Sequence, residues 1–382
     1  MAYFFIVFLS IYSLANYYVF RRTLQALDGV PGYVQGIMIG VFVLGTFSYL
    51  LSKSVLSKMN NILYDFILWF GSVWFAVVLY SLLICALLDV LRLVRLLIIS
   101  LMKNQAYIPV PSGLTILVVA AFLLSLCIGY GIYNFKNIKV KDFSFTMKNK
   151  QKAGSSLKIL FFSDAHFTTV NNSGLVNQIV EIYNREKPDL ILMGGDIIDD
   201  KILHLDRHRI GEKLELLKPP FGVFTCPGNH EYISGYTESA KFLEKHGVKV
   251  SRDTVIRVGD YLQVIGRDDT SGYRLWGEYR KSLKELVAGT DKSIPTIVLD
   301  HQPFKLQSAA DAGVDLQLSG HTHNGQMFPF NLITKKMYEV SWGYKQIGKT
   351  HFYISSGIGG WGPPVRIGSD AEAIIIKINF VE

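Results

Sequence analysis

Two patterns of apolar and polar positions divide this chain. Up to about Tyr133 apolar residues come in long, nearly unbroken runs; beyond Leu157 they come in short blocks separated by polar loops. Crossing a bilayer as a helix takes about 20 mostly apolar residues. Runs of about that length at 2–20, 34–51, 62–88 and 114–133 predict an all-α transmembrane bundle. The first is closed by Arg21 and Arg22 and has no basic segment before it, which reads as a retained anchor rather than a cleaved signal. In the second, Gly36, Gly40 and Gly45 permit close helix approach. Residues 90–102, with Arg92 and Arg95 among leucines and isoleucines and Lys103 just beyond, read as an interfacial amphipathic helix or as the end of the third span.

From Leu157 onward the blocks alternate with helical stretches. Residues 158–162, 190–193, 222–226, 296–299, 316–318 and 352–355 read as strands, and 373–380 as a further buried strand. Residues 255–258 and 262–265 read as a hairpin turned at Gly259-Asp260. Helices fit 174–185, with Ser173 as N-cap, and 238–246, with Thr237 as cap and Gly247 as stop. This alternation implies an α/β core whose site lies where loops converge at strand ends. The predicted divisions are a transmembrane region of about four helices at 1–135, a basic linker at 136–156 and a soluble domain at 157–382.

Composition sharpens the division. All nine histidines lie beyond Tyr133. The net charge of +8 is spread over both parts, without aromatic residues interleaved among basic runs, so no nucleic-acid partner is expected. Lysines at 136, 139, 141, 148, 150 and 152 suit anionic headgroups. With Lys53 and Lys58 they outnumber the basic residues that four spans would put on the other side, Arg21, Arg22, Arg92, Arg95 and Lys103. The positive-inside rule then predicts a multi-pass protein of the inner or plasma membrane with its soluble domain in the cytoplasm. Cys85, Cys127 and Cys226 suit neither a disulfide framework nor a thiolate zinc site.

The chemistry lies at the predicted strand ends. The loops there read Asp164-Ala165-His166, Gly195-Asp196-Ile197-Ile198-Asp199, Pro227-Gly228-Asn229-His230-Glu231, Asp300-His301-Gln302-Pro303 and Gly320-His321-Thr322-His323. On an extended backbone, side chains at i and i+2 leave on the same side, which would aim Asp164 with His166, and His321 with His323, into one cavity. Carboxylate, amide oxygen and imidazole together suit borderline divalent metals such as manganese, iron, zinc or nickel. An all-oxygen calcium or magnesium cage would not use this many histidines. The donors exceed what one ion takes, so two ions sharing a carboxylate are the economical arrangement. Such a pair, about 3.5–4 Å apart, clamps both oxygens of an in-line displacement at phosphorus and acidifies a shared water.

Taken in order, D-x-H, G-D-x-x-D, G-N-H-E, a lone His and G-H-x-H resemble the motifs of the calcineurin-like metallophosphoesterase superfamily, over about 157–382. The resemblance implies an α/β two-sheet sandwich flanked by helices. It also implies that Asp164, His166, Asp196 and His323 bind one metal, and that Asp196 bridges to a second held by Asn229, His301 and His321. His230 would protonate the leaving oxygen or hold the phosphate. Asp199 and Glu231 look like residues that orient metal-bound histidines. Residues 228–235, 320–326 and 360–366 look like the membrane-anchored branch, which includes transmembrane phosphoesterases and lipid-A-pathway UDP-diacylglucosamine hydrolases. Asn324 stands where that branch has a second glycine, which predicts a change in loop geometry.

The expected function is a membrane-bound hydrolase with two divalent ions (manganese, iron or zinc). Its partners would be the lipid bilayer and a phosphoester substrate with a phosphodiester or pyrophosphate bond, lipid-linked by preference. One alternative is a soluble nucleotide or small phosphoester. Another, of a different class, is a metal-binding regulatory or transport membrane protein, against which the leaving-group acid His230 argues. Met327-Phe328-Pro329-Phe330, Trp342 and Trp361-Gly362-Pro363-Pro364 read as an apolar rim for lipid or as core; Lys335, Lys336, Lys345 and Arg366 read as phosphate partners or as solvated charges.

Overall fold

A long apolar run can satisfy its backbone polar groups away from water by folding as a helix, and the N-terminal runs do so. The computed structural model describes residues 2–102, 109–277 and 279–382, which divide into two units, Met1–Ile132 and Tyr133–Glu382. The first unit holds α1 (Ala2–Ala26), α2 (Gly32–Lys53), α3 (Ile62–Leu101) and most of α4 (Gly113–Lys136). By length and composition α2 and α4 suffice to cross a membrane. Their exposed residues include Leu44, Phe47, Val118 and Phe122, a surface that a soluble protein would cover.

Residues 90–102 are not a separate interfacial helix. α3 runs unbroken for 40 residues through Leu101, about 60 Å at 1.5 Å per residue and roughly twice a hydrocarbon core. Lys103 lies outside the described residues. Of the three glycines expected to allow close approach, only Gly45 does so, since a Cβ there would come within 2.2 Å of the Trp74 ring. Gly36 and Gly40 face nothing within 4 Å, and Gly71, against the Tyr49 backbone at 2.3 Å, takes that role instead.

The second unit is built from twelve described strands: β1 (Lys139–Lys148), β2 (Ser156–Phe162), β3 (Leu190–Met193), β4 (Val223–Thr225), β5 (Val248–Val250), β6 (Thr254–Val258), β7 (Leu262–Gly266), β8 (Thr296–Leu299), β9 (Leu316–Ser319), β10 (Gly343–Ile347), β11 (Thr350–Ile354) and β12 (Glu372–Val381). One sheet runs β1-β12-β2-β3-β4-β5 and the other β10-β11-β9-β8-β7-β6. Strands β2 to β5 are parallel, as are β7, β8, β9 and β11. The carboxyl ends of the parallel strands therefore share one edge of each sheet.

Consecutive apolar residues in these strands follow from cover on both faces. Ile159 and Phe161 of β2 pack between the sheets with Leu192, Val264, Ile297 and Leu318. Leu160 and Phe162 turn outward against Val176, Ile179 and Ile182 of α5 (Ser173–Glu186). On the far side, Val298, Phe352 and Ile354 are covered by Leu283, Leu286, Leu306 and Ala309. The result is a layered sandwich of two mixed sheets flanked by helices. The cap of α5 is Asn172 rather than Ser173; its side chain accepts from the Gly174 amide at 3.1 Å. The helix expected at 238–246 spans Tyr236–Lys245 with Gly235, not Thr237, at its N-cap.

The segment read as a basic linker is mostly strand. β1 pairs in parallel with β12 from Lys139↔Glu372 to Lys148↔Val381. Phe145 and Met147 are buried, with Phe143 packed beside them, while Ser144, Thr146 and Lys148 point out. The lysines hid this alternation, and lysine on an edge strand is a common guard against further pairing.

Candidate metal centre

The loops that leave β2, β3, β4, β8 and β9 bring the expected residues together, but not on extended backbone. Asp164, His166, Asp196, His321 and His323 have φ of 56°, 44°, 53°, 72° and 49°, and Thr322 between the two histidines is helical. The left-handed region is disfavoured for residues with a Cβ. Five such residues in one site mark strain held by the surrounding fold, a feature that clusters at functional sites. The i, i+2 argument therefore reached the right grouping from the wrong backbone. Asn324 is left-handed as well (φ 46°, ψ 37°). Glycine adopts this conformation at little cost, and Asn is among the residues that tolerate it.

Two clusters form. In one, His323 Nε2 lies 3.3 Å from Asp164 Oδ1 and 3.2 Å from His166 Nε2. In the other, His301 Nε2 lies 3.0 Å from Asp196 Oδ2, with His321 adjacent. Asp196 faces both, its Oδ2 being 3.7 Å from His166 Nε2. His321 and His323 thus join different clusters. Asn229 starts the short helix Asn229–Ser234, next to the His230 amide that donates to Asp196 Oδ1 at 2.8 Å.

Tautomers follow from the partners. His301 Nδ1 donates to the Gly194 carbonyl at 2.7 Å, His166 Nδ1 to Asp199 Oδ2 at 3.2 Å and His230 Nδ1 to Asp199 Oδ1 at 2.7 Å. Each Nε2 is left with its lone pair available when the ring is neutral. Asp199 accepts from two histidines, His166 and His230. Glu231 does not; its carboxylate accepts from the backbone amides of Gly228, Asp196, Ile197 and Ile198 at 2.6–3.1 Å. Ser163, which the motifs did not single out, donates its hydroxyl to Asp164 Oδ2.

The electrostatics favour positive charge between the clusters. Burial by itself would raise the Asp196 carboxyl, but His301, His230 and His166 hold it well below the ordinary carboxylate range. Burial, with His301 beside it, brings His321 down to about 3, and burial with His166 and Arg366 nearby also keeps His323 neutral. Neutral imidazoles beside buried carboxylates are the form in which these groups bind metal. The Asn229 Oδ1 and His323 Nδ1 atoms are buried with no hydrogen-bond partner among the described residues. Such orphans are uncommon in native interiors, and together with this donor set they fit divalent cations.

Glycines make the close approach possible. A Cβ on Gly228 would come within 2.1 Å of Asp196 Oδ1, and one on Gly320 within 2.2 Å of Asp164 Oδ2. Gly228→Ala is expected to cost about 1–3 kcal/mol of stability by overpacking, read as a lowered thermal midpoint. An unchanged midpoint would mean that the Asp196 loop can shift without strain.

The other charged and aromatic residues sort differently from expectation. Arg366 is neither solvated nor available to phosphate. It is fully buried beneath Asp164, and its guanidinium donates to the carbonyls of Ser356, Gly357, Gly359 and Asp370 and to Ser369 Oγ. Lys345 pairs with Glu339 at 2.6 Å, while Lys335 and Lys336 are exposed. Trp342 donates to the buried Glu372 and lies under Lys141, and Met327 is core. Asp300, beside His301, pairs with Arg267 and Arg280, a contact that no local motif announced.

Comparison with known proteins gives a consistent result. A family model described as "Calcineurin-like phosphoesterase" matches residues 157–325. An uncharacterized metallophosphoesterase of Aquifex aeolicus is 33% identical over 244 residues, covering 63% of this chain and 92% of that one. A transmembrane protein with metallophosphoesterase domain from Danio rerio is 26% identical over 274 residues, 69% of this chain and 62% of that one. The 5'-nucleotidase precursor of Thermus thermophilus superimposes with a TM-score of 0.36 at 17% identity, over 58% of this chain and 55% of that one.

Proposed function

The chain belongs to the calcineurin-like metallophosphoesterase family, and we propose that this member hydrolyses a phosphodiester or pyrophosphate bond in a lipid-linked substrate at a two-ion centre. As a family member it is a metal-dependent phosphoester hydrolase; the proposal concerns its ligands, metal and substrate. Asp164, His166, His323 and Asp196 would hold one ion, and Asp196, Asn229, His301 and His321 the other. Manganese, iron and zinc suit this mixture of oxygen and imidazole donors. Such ions supply Lewis-acid stabilisation of charge on phosphoryl oxygens and make water acidic enough to react at neutral pH.

The chain's own residues do the rest. Asp199 keeps His166 and His230 in one tautomer each. His230 carries a proton for the departing oxygen. Burial would lower its pKa, but Asp199 and Asp196 raise it to about 9, so the acid form is present at neutral pH. Glu231 holds the loop that presents Asp196.

One observation carries the lipid part of the reading. Phe328, Leu332, Ile333, Met337 and Trp361 are 44–65% exposed, and the helix Phe330–Met337 buries none of its residues. Gln326 ties this rim to the site, since it lies three residues from His323 and its Nε2 donates to the Trp361 and Pro363 carbonyls at 3.1 and 2.8 Å. Exposed apolar residues with Lys335 and Lys336 among them fit a bilayer interface. The apolar N-terminal helices and the distribution of lysines support a multi-pass membrane protein with the hydrolase in the cytoplasm.

The test uses the full chain in detergent. Elemental analysis is expected to find two divalent ions per chain, and turnover of a lipid-linked pyrophosphate in mixed micelles should vanish with chelator and return with Mn²⁺. A chain that binds no metal would overturn the ligand assignment. Turnover of a small soluble diester with undetectable lipid turnover would move the substrate to the soluble class.

A further inference from the structure

Beside the centre the hydrolase unit holds a cleft of about 1050 Å³ whose lining includes Arg267, Arg274, Arg280, Lys284, Lys292 and Lys305. Against these six cations the lining carries one carboxylate, Asp311. The cleft begins beside the metal-centre residues. Gln302, next to His301, lines it, as does Phe304, whose ring centroid is 6.5 Å from that of His321.

The inner end is built rather than incidental. Asp300 grips Arg267 Nη1 at 2.7 Å and Arg280 Nη2 at 2.5 Å, fixing two guanidinium groups one residue from His301. The Nε–H of each is buried without an acceptor among the described residues. Asp300 balances only one of the two guanidinium charges, so the inner end of the cleft keeps a net positive charge. Towards the mouth, Arg274, Lys284 and Lys305 are exposed and make no ion pair among the described residues. Clefts lined by one sign of charge concentrate the field on ions of the other sign, and guanidinium groups match phosphoryl oxygens with two donors at once.

We propose that this cleft is a second anion site, which takes a phosphoryl group of the substrate other than the one attacked at the metal centre. The preferred substrate then carries at least two phosphoryl groups. Pyrophosphate-linked compounds and diesters with a further phosphate meet this requirement; simple monoanionic diesters do not. The assignment of the attacked group rests on the hydrolase reading above, whereas binding in the cleft does not. A lipid headgroup and a soluble polyphosphate share this chemistry, and the volume exceeds what a lone phosphate needs.

Binding is measured first, on the full chain in detergent, stripped of metal and desalted. Inorganic pyrophosphate and mixed micelles of short-chain phosphatidic acid are titrated into the parent chain and into Arg274→Gln/Lys284→Gln/Lys305→Gln. The parent is expected to bind, more weakly as salt rises, and the triple variant to bind about tenfold or more weakly. The charge-retaining variant Arg274→Lys/Lys284→Arg/Lys305→Arg should restore binding, which separates lost charge from lost folding. Tighter binding of micelles identifies a lipid phosphate, and tighter binding of pyrophosphate a soluble one. No binding of either probe, or binding that the glutamines leave unchanged, overturns the proposal.

Turnover is measured second, with Mn²⁺, on two p-nitrophenyl diesters that differ only by an added phosphate. The parent should favour the phosphorylated ester in kcat/KM, and the glutamine variant should bring the ratio towards one. An equal ratio in both proteins overturns the proposal. Intact cleft binding without turnover of either ester would sink the hydrolase reading and leave the anion site standing.

Discussion

Replacing His230 by alanine is expected to lower kcat/KM by roughly 10²- to 10⁴-fold on a phosphodiester with an alkoxide leaving group, the range for loss of a positioned general acid. In barrier height this is about 3–5.5 kcal/mol. The geometry supports the role. Its Nδ1 is committed to Asp199 at 2.7 Å, so the proton at Nε2 is the one to give. Its side chain is 22% exposed, against 0% for His166 and His301 and 3% for His323. Of these four it is the one a substrate can reach. Although burial opposes the charge, Asp199 and Asp196 keep the ring protonated to about pH 9. A p-nitrophenyl ester departs as a stable phenolate and needs no such proton, so its loss in the variant should be far smaller. Equal losses on the two esters would assign His230 to holding the phosphate instead.

Glu231→Ala is expected to be the most destabilising single change in the site. The carboxylate is buried and is the acceptor for the amides of Gly228, Asp196, Ile197 and Ile198. Truncation leaves four buried donors without that acceptor. A buried unsatisfied group costs about 1–3 kcal/mol, and with partial relief by entering water the total is on the order of 4 kcal/mol. For a unit of this size that lowers Tm by roughly 10 °C. Thermal unfolding in detergent reads it directly. Glu231→Gln keeps one acceptor oxygen and should fall between parent and alanine. An alanine variant that melts with the parent would show that the 196–198 loop does not depend on Glu231.

The two outcomes bear on different parts of the design. His230 is proposed to act on the substrate, and its loss should spare folding. Glu231 is buried and holds the backbone that presents Asp196, so its loss should appear in unfolding before it appears in kinetics.

Much of this was legible along the chain because the underlying physics is local or periodic. Strands buried on both faces must be apolar at successive positions, so β2, β3, β8 and β9 stand out as blocks. Donor-type residues follow those blocks immediately, so Asp164, His166, Asp196, Asn229, His230, His301, His321 and His323 could all be named from order and spacing. The long apolar runs declared the N-terminal helices in the same way. Where two signals competed, the louder one misled; the lysines of β1 masked the alternation of Phe143, Phe145 and Met147.

What only the tertiary structure decided depends on contacts between residues distant in sequence. The left-handed backbone at Asp164, His166, Asp196, His321 and His323 goes with close approach of glycines from other loops, Gly228 to Asp196 and Gly320 to Asp164, and no local propensity encodes it. Arg366 reads as a surface cation by composition, yet it is buried because the carbonyls of 356–370 converge on it. Arg267 and Arg280 become one edge of a cleft only when the fold brings them to Asp300. The sequence by itself determined which side chains are the candidates for the chemistry and that they follow strands. The fold determined their backbone, their charge states and their neighbours, because those depend on burial and field, which exist only once the sheets have closed.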